Sequence, residues 1–241
     1  MGRLLNWPVG LGIRSRRPLA GPRTVGASGG QETIGGRYQS VSSPFGAWKY
    51  ELLLPAAKGR MYRRIEGLVT ALHGGANAVR VPWPVPDGMT LKEAGAKITA
   101  AQERSGMPWA NGRSWSNGKN WSVSPPNVPV AAAAAKDATV VRLEPLYWGR
   151  SLGMGDEIGF FPFHFGKYVV TEDRGGGEYR IWPPLRKAVT TDDFATLQPV
   201  LAMRLDGEQS AQLSRNVGHG DETTLIMTEV FDSDVRQYFA D

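Results

Sequence analysis

The chain has 241 residues, of which 41% are hydrophobic and 21% charged, with a formal net charge of +5. These values are typical of a folded protein that can bury a sizeable core. It contains no cysteine, which excludes disulfides and thiolate chemistry and suits synthesis in a reducing cytoplasm. No apolar run approaches the roughly 18 residues of a membrane-spanning helix, so no membrane partner is predicted.

Glycine, proline and tryptophan usage predicts a strand-rich fold. The chain has 30 glycines, 17 prolines and eight tryptophans. Glycine and proline favour turns over long helices, and tryptophan favours strands and interfaces. The predicted class is α+β, with antiparallel sheets in a sandwich-like or barrel-like arrangement, two short helices and an extended N-terminal arm.

The arm is predicted over residues 1–36, which hold five arginines, no acidic residue before Glu32 and the tract GASGGQETIGG. Without a periodic apolar face, this segment is expected to be ordered only against a neighbouring molecule. A second region is predicted over 37–130 and a third, antiparallel one over 131–241. The prolines of PPNVPVAAAAAKD mark their boundary, and the two regions are expected to pack as a single body.

The second region contains predicted strands in FGAWKYELLLP (45–55) and ANAVRVPWPVP (76–86). Between them, MYRRIEGLVTALHGG (61–75) has apolar residues at helical spacing, and Gly74 is placed to end the helix. A second helix is predicted over 90–106, where Thr90 and the glutamate three residues later have capping-box spacing.

The third region is predicted to be all strands, with a turn at Gly175-Gly176-Gly177 between two of them. In the second of these, EYRIWPPLR, Tyr179 and Ile181 are expected to face inward and the proline pair to end the pairing. The predicted strands lie in ATVVRLEPL (138–146), EIGFFPFHFGKYVVTED (157–173), GEYRIWPPL (177–185), PVLAMRLD (199–206) and TTLIMTEVFD (223–232).

One internal repeat, WANGRSWSNGKNWS, places Trp109, Trp115 and Trp121 six residues apart. Asn111-Gly112 and Asn117-Gly118 lie between them, and Asn-Gly is the preferred two-residue turn of a tight hairpin. Two interpretations remain open. The tryptophans form a ligand platform for a sugar or a base, or a small β insertion in which they cover the core or a neighbouring subunit.

No motif predicts catalysis. The sequence GRSLG around Ser151 matches a nucleophile elbow, but turn and strand residues follow it where a helix is required. His73, His164 and His219 have no metal-ligand spacing, and no Walker or dinucleotide fingerprint occurs. Adjacent acidic pairs point to opposite faces of a strand and do not form a paired carboxylate site. The prediction is a non-enzyme with no catalytic, cofactor-binding or metal-binding residue and no cofactor.

Charge is divided unevenly along the sequence. Residues 1–120 hold 17 Lys and Arg against 6 Asp and Glu, and residues 121–241 hold 11 against 17. The basic residues form no long run or nucleic-acid motif, so nucleic-acid binding is not expected. The division favours contacts between unlike surfaces of neighbouring copies.

Four blocks resemble the distal tail proteins, a family of tail-tip (baseplate) proteins of long-tailed phages and prophages. They are SSPFGAWKYELLLP with LHGGANAVRVP, then VRLEPLYWGRSLGMGDEIGFF, YRIWPPLRKAV and VLAMRL. The shared pattern is an aromatic strand, a helix closing on glycine and asparagine, a Gly-Asp before a strand and a proline-leucine-arginine end.

The resemblance implies a structural virion protein at the tail tip, assembled in the host cytoplasm. It implies a homo-oligomeric ring, a hexamer in the family, that joins the tail tube protein to the tail hub protein and the host-recognition parts. It implies no catalytic residue. The alternative is a carbohydrate-binding or host-attachment module that uses Trp109, Trp115 and Trp121 as stacking surfaces.

Overall fold

The fold was analysed in a computed structural model that describes residues 2–22, 46–85, 88–95, 97–121, 123, 127–145, 148–162, 164–207, 210–215, 219–231 and 234. The chain is strand-rich α+β with two mostly antiparallel sheets, as predicted. It divides into two compact units. Unit 1 comprises Met1–Pro84 and Val200–Asp241, and unit 2 comprises Val85–Pro199.

The elements run in chain order as follows: β1 (Leu4–Asn6), β2 (Ser15–Ala20), β3 (Lys49–Leu54), α1 (Gly59–Ala71), a 3-10 turn (His73–Gly75), β4 (Ala78–Pro82), α2 (Ala100–Ser105), β5 (Val128–Ala132), β6 (Val140–Leu143), β7 (Glu157–Phe161), β8 (His164–Gly175), β9 (Glu178–Trp182), β10 (Phe194–Thr196), β11 (Val200–Leu205), β12 (Ala211–Gln212) and β13 (Thr223–Glu229).

Unit 1 is built on a sheet in the order β1-β4-β11-β13-β3-β2, with β12 added to β13. Only β1 and β4 pair in parallel. In β3, Tyr50, Leu52 and Leu54 are buried at every second position, as a strand with one core-facing side requires. Both parts of the chain assigned to unit 1 therefore contribute strands to one sheet.

The structure differs from the expected N-terminal arm over the part it describes. β1 pairs with β4 and β2 with β3, so residues 4–6 and 15–20 belong to the sheet. The loop between them is anchored by Trp7 and Leu11, both buried, and the Trp7 indole N–H donates to the Leu11 carbonyl at 2.7 Å. Edge strands that gain their order from backbone pairing need no periodic apolar face. Residues 23–36 lie outside the described residues.

The first predicted helix is confirmed as α1, which buries Tyr62, Ile65 and Leu68 on one face. It is followed by the predicted glycine ending, since Gly74 has a φ of 62° inside the 3-10 turn. This left-handed conformation carries little penalty for a residue without a Cβ.

The second helix is shorter than predicted. The hydrogen bonds expected between Thr90 and Glu93 form, with Thr90 N–H donating to the carboxylate at 2.9 Å. The chain then turns at Gly95, where φ is 85°, and α2 begins only at Ala100. Its N-terminus is closed by a second capping box between Thr99 and Gln102. The hydrogen bonds between Thr90 and Glu93 therefore stabilise a turn and not a helix, because Gly95 allows the chain to leave the helical path.

Unit 2 contains a closed barrel in the order β10-β5-β6-β9-β8-β7, with β7 and β10 completing the ring. The predicted boundary at 130/131 falls inside β5, so this is not where the units divide. The segment 157–173, predicted as one strand, turns at Pro162 and forms the hairpin β7–β8. Closing a barrel removes the free sheet edges, and here the pairing of β10 with β7 closes it.

The glycine turn before EYRIWPPLR forms as predicted. Gly175 pairs with Glu178, so Gly176 and Gly177 are the two central residues of the hairpin, with φ of 62° and 82°. Positive φ at both positions defines a type I′ turn, which glycine adopts readily. Downstream, Tyr179 and Ile181 are buried at 3% and 1% exposure, which confirms the predicted inward face.

The uneven charge along the sequence is not separated between the units. Unit 1 holds 15 Lys and Arg against 11 Asp and Glu, and unit 2 holds 13 against 12. In unit 1, bases of the first half pair with acids of the second, as in Arg14 with Glu222 and Lys49 with Asp206. Hydrogen bonds from Lys49 and Thr228 lower the pKa of Asp206. Charges of opposite sign from the two halves of the sequence therefore pair within unit 1 at these positions, while the expected contacts between neighbouring copies stay a prediction.

Deleting residues 2–22 should destabilise unit 1. The deletion removes two strands of the sheet and the buried side chains of Trp7 and Leu11, and these two side chains alone contribute about 3 to 6 kcal/mol. Urea unfolding followed by circular dichroism measures the loss. Val9→Ser, at a residue that is 84% exposed, is the control and should unfold like the parent. An unchanged midpoint for the deletion would restore the independent arm.

Gly177→Ala should destabilise the barrel far more than Gly176→Ala. Both substitutions place alanine at positive φ, which costs about 1–2 kcal/mol. A Cβ at Gly177 would also overlap the carbonyl oxygen of Leu143, whereas one at Gly176 meets open space. Because Leu143 also donates its N–H to Gly177 at 2.8 Å, β6 cannot simply move away. Urea midpoints that are equal for the two variants would contradict this account.

Candidate functional site

The Trp-Asn-Gly repeat forms two consecutive three-residue turns in unit 2. In the first, Trp109 N–H donates to the Arg113 carbonyl at 2.9 Å and Gly112 N–H donates to the Trp109 carbonyl at 2.8 Å. Trp115, Gly118 and Lys119 repeat the arrangement at 2.8 Å each. We call residues 106–121 the Trp knob.

These turns are not the two-residue turns that Asn-Gly predicts. Only the glycines have positive φ, 76° at Gly112 and 74° at Gly118, which is the pattern of a type I turn followed by a left-handed residue. The asparagine Oδ1 of each turn accepts the N–H two residues on, from Arg113 and from Lys119, at 3.0 Å. Each asparagine side chain therefore adds a hydrogen bond inside its own turn and holds the turn in place.

The two ends of the Trp knob are joined to each other. Met107 and Trp121 exchange backbone hydrogen bonds, both at 2.9 Å. The Asn120 side chain donates to the Ser105 carbonyl at the end of α2, at 3.1 Å. Gly106 lies so close to the Trp121 carbonyl oxygen that a Cβ there would overlap it. The knob therefore has a closed base and internally hydrogen-bonded turns.

The three tryptophan rings pack on one another. Their centroids are 4.9, 4.9 and 5.4 Å apart and their planes are inclined by 60° to 76°. These are contact distances for edge-to-face aromatic pairs, so no ligand fits between the rings. Trp109, Trp115 and Trp121 nevertheless remain 44%, 40% and 48% exposed.

This geometry discriminates among the sequence-based interpretations. At 40% to 48% exposure, the three tryptophans are not members of the buried core cluster of unit 2. Because the rings are inclined to one another by 60° to 76°, they do not form one continuous flat surface, and a sugar ring or base could stack on only one of them. The structure shows an exposed aromatic cluster with Arg113 and Lys119 exposed in its two turns, and exposed aromatic clusters of this kind can fill a complementary surface on another molecule.

Ser151 lies on a cleft at one end of the barrel, with a volume of about 350 Å³. Its sequence motif is followed by β7 rather than a helix, so the nucleophile-elbow fold is not formed. The cleft is lined by Pro145, Trp148, Gly149, Arg150, Ser151, Asp173, Gly175, Gly176, Gly177 and Tyr179, with no histidine among them. Arg150 is held by Asp156 at 3.2 Å, and burial raises the pKa of Tyr179.

His164 lies inside the barrel, 5% exposed, with its Nε2 2.6 Å from the Tyr168 hydroxyl. The same hydroxyl accepts the Arg186 N–H at 3.0 Å, so its own proton is directed to His164, which accepts it when neutral. Burial is the main cause that lowers the pKa of His164 to about 4, and Lys187 adds to the effect. Asp193 opposes it. His164 is thus a neutral, buried residue.

Stability should fall on acidification because of His164. The unfolded chain takes up a proton near pH 6.5 and the folded chain only near 4, so the contribution is complete above about 6.5 and is lost between these values. The shift corresponds to about 3 kcal/mol. His164→Gln should remove this slope from urea unfolding measured between pH 4 and 7, while His219→Gln, at a half-exposed side chain, should leave it unchanged. An identical slope in His164→Gln would contradict the assignment.

Comparison with known proteins identifies no family, because no family model and no curated protein sequence matches this chain. In the described part of the chain, no three His, Asp or Glu side chains lie together so that they could hold a metal ion. No helix there is long and apolar enough to cross a membrane.

Proposed function

We propose that this chain is a structural protein of the tail tip of a long-tailed phage. In this role it forms a homo-oligomeric ring that joins the tail tube to the hub and its host-recognition parts, without catalysis. The observation that carries the proposal is the exposed Trp knob, since clustered tryptophans at a fixed surface position are typical anchors of protein interfaces.

The location of the resembling blocks supports the same role. VLAMRL coincides with β11, where five of six residues are at least half-buried, and YRIWPPLRKAV begins within β9. The first block contains β3, whose buried face belongs to the unit 1 core. The family pattern thus falls on the framework of both units, as expected where the shared property is a scaffold.

Carbohydrate binding is the competing function. The three partly exposed indole rings favour it, because aromatic faces also stack on sugars. Their mutual inclination of 60° to 76° opposes it, since a sugar could lie on only one ring at a time. A glycan array therefore belongs in any test of the proposed function.

The wild-type chain should sediment as a closed oligomer, and Trp115→Ala should shift it toward monomer by at least about tenfold in concentration. The physical reason is that truncating a central interface tryptophan typically costs 2 kcal/mol or more, about thirtyfold. Analytical ultracentrifugation across protein concentration measures both.

Ser151→Ala, in the barrel-end cleft, is the matched control and should assemble like the parent. A wild-type chain that stays monomeric at all concentrations and binds a glycan through its tryptophans would replace the structural role by the carbohydrate-binding one.

A further inference from the structure

A second exposed aromatic surface lies on the outside of the barrel in unit 2. Phe161 of β7 and Phe194 of β10 are register partners and are 53% and 38% exposed. Their neighbours Phe160 and Ala195 are buried, so the phenylalanines point outward. Pro129 of β5 is the other register partner of Phe194 and extends the apolar surface across three strands.

This surface is bordered by acid. Asp192, two residues before Phe194, is exposed. Asp193 is half-buried and accepts hydrogen bonds from the Thr190 N–H and hydroxyl at 2.8 and 3.1 Å, which fixes the loop that carries Asp192. We call Phe161, Phe194, Pro129 and Asp192 the Phe patch.

The Trp knob and the Phe patch are complementary. The knob combines three indole rings with the exposed cations Arg113 and Lys119, and the patch combines two phenyl rings with an exposed carboxylate. Residues 105–136 contain no Asp or Glu, so the knob brings no like charge to Asp192. Aromatic groups gain from edge and face contacts with one another, and opposite charges fix orientation and exclude other pairings.

Both surfaces are exposed in a single chain, so neither is covered by the other within one molecule. We propose that the Trp knob of one subunit docks on the Phe patch of the next. Because each chain presents one knob and one patch, the contact is heterologous, and repetition of it builds a ring when the rotation closes. This inference rests on the proposed ring-forming function and specifies which surfaces make the contact.

The exposed area of the three tryptophans indicates how much of the interface the Trp knob can form. At 40% to 48% exposure, each indole offers roughly 100 Å² of surface. Three indoles therefore supply about a third of the roughly 800 Å² per partner that a stable interface buries. They form its central anchor, and the surrounding contacts complete the area.

Complementation between two variants tests the contact. Trp115→Ala impairs the knob and leaves the patch, while Phe194→Ala impairs the patch and leaves the knob. Each variant alone should assemble at least about tenfold more weakly than the parent in sedimentation equilibrium. Mixed in equal amounts they should form 1:1 heterodimers that grow no further, since such a pair has one intact contact and no second one.

Charge reversal gives an independent test that leaves the aromatic packing in place. A chain with Asp192→Lys should assemble more weakly than the parent. Mixing it with a second chain that carries Arg113→Glu and Lys119→Glu should restore assembly, because the exchanged charges again attract across the contact. Met154→Ser, at an 84% exposed apolar residue of unit 2 outside both surfaces, is the matched control and should assemble normally. Circular dichroism shows that each variant is folded.

The outcomes separate the two levels of the proposal. A monomeric parent chain overturns the proposed ring and this contact with it. An oligomeric parent whose Trp115→Ala, Phe194→Ala and Asp192→Lys variants all assemble normally overturns the contact and leaves the ring. Variants that fail alone and also fail to form heterodimers on mixing show that knob and patch belong to different contacts, which likewise overturns the pairing.

Discussion

The register between β4 and β11 is the constraint on which the chain's organisation depends. Pro82 near the end of the first part of unit 1 is the Cα partner of Val200 at the start of the second, and antiparallel partners lie about 4.5–5.5 Å apart. The chain therefore leaves the sheet of unit 1 and returns to it at neighbouring positions, and unit 2 is inserted between them. An inserted unit with adjacent ends can fold around its own core, and the closed barrel with its separate hydrophobic cluster does so.

The same constraint explains why basic residues of the first half lie beside acidic residues of the second in unit 1. Once β11 is paired with β4, β13 is brought between β11 and β3, so strands from opposite ends of the chain become neighbours. Lys49 then reaches Asp206 and Arg14 reaches Glu222. A division that looks like two oppositely charged halves becomes a set of short pairs within unit 1. Such exposed pairs contribute only about 0–1 kcal/mol each, so they follow from the sheet pairing and do not determine it.

Local signals in the sequence predicted local structure well. The helical spacing of α1, the alternation around Tyr179 and the glycine turn at Gly176-Gly177 were all read correctly, because each depends on residues within one or two turns of chain. The α+β class followed from the same signals. The helix start predicted at Thr90 was wrong, because a second capping box begins at Thr99. The chain turns at Gly95, so the helix starts after the second box.

Elements held by distant partners could not be read locally. β1 and β2 gain their order from β4 and β3, whose register partners are about 30 to 74 residues away along the chain. β5 consists largely of alanine, valine and proline, a composition typical of a linker, and it becomes a strand only because β6 and β10 flank it. The candidate site shows the same division. The repeat predicted two turns that carry the three tryptophans, but it did not predict that the tryptophan rings pack against each other. The position of Phe161 beside Phe194 could not be predicted either, because it requires the closed barrel.

Mutual packing of the tryptophans also reconciles their exposure with the role in assembly that we propose. Three separate indoles would each present both faces to water, whereas the inclined rings of the Trp knob cover one another's faces and leave less than half of each exposed. The knob's turns are fixed by their own hydrogen bonds, so little conformational entropy remains to be lost when a partner covers them. An aromatic cluster of this kind keeps the exposed apolar surface small while its shape stays fixed for the contact we propose, and the two flanking cations would oppose its association with a second copy of the knob.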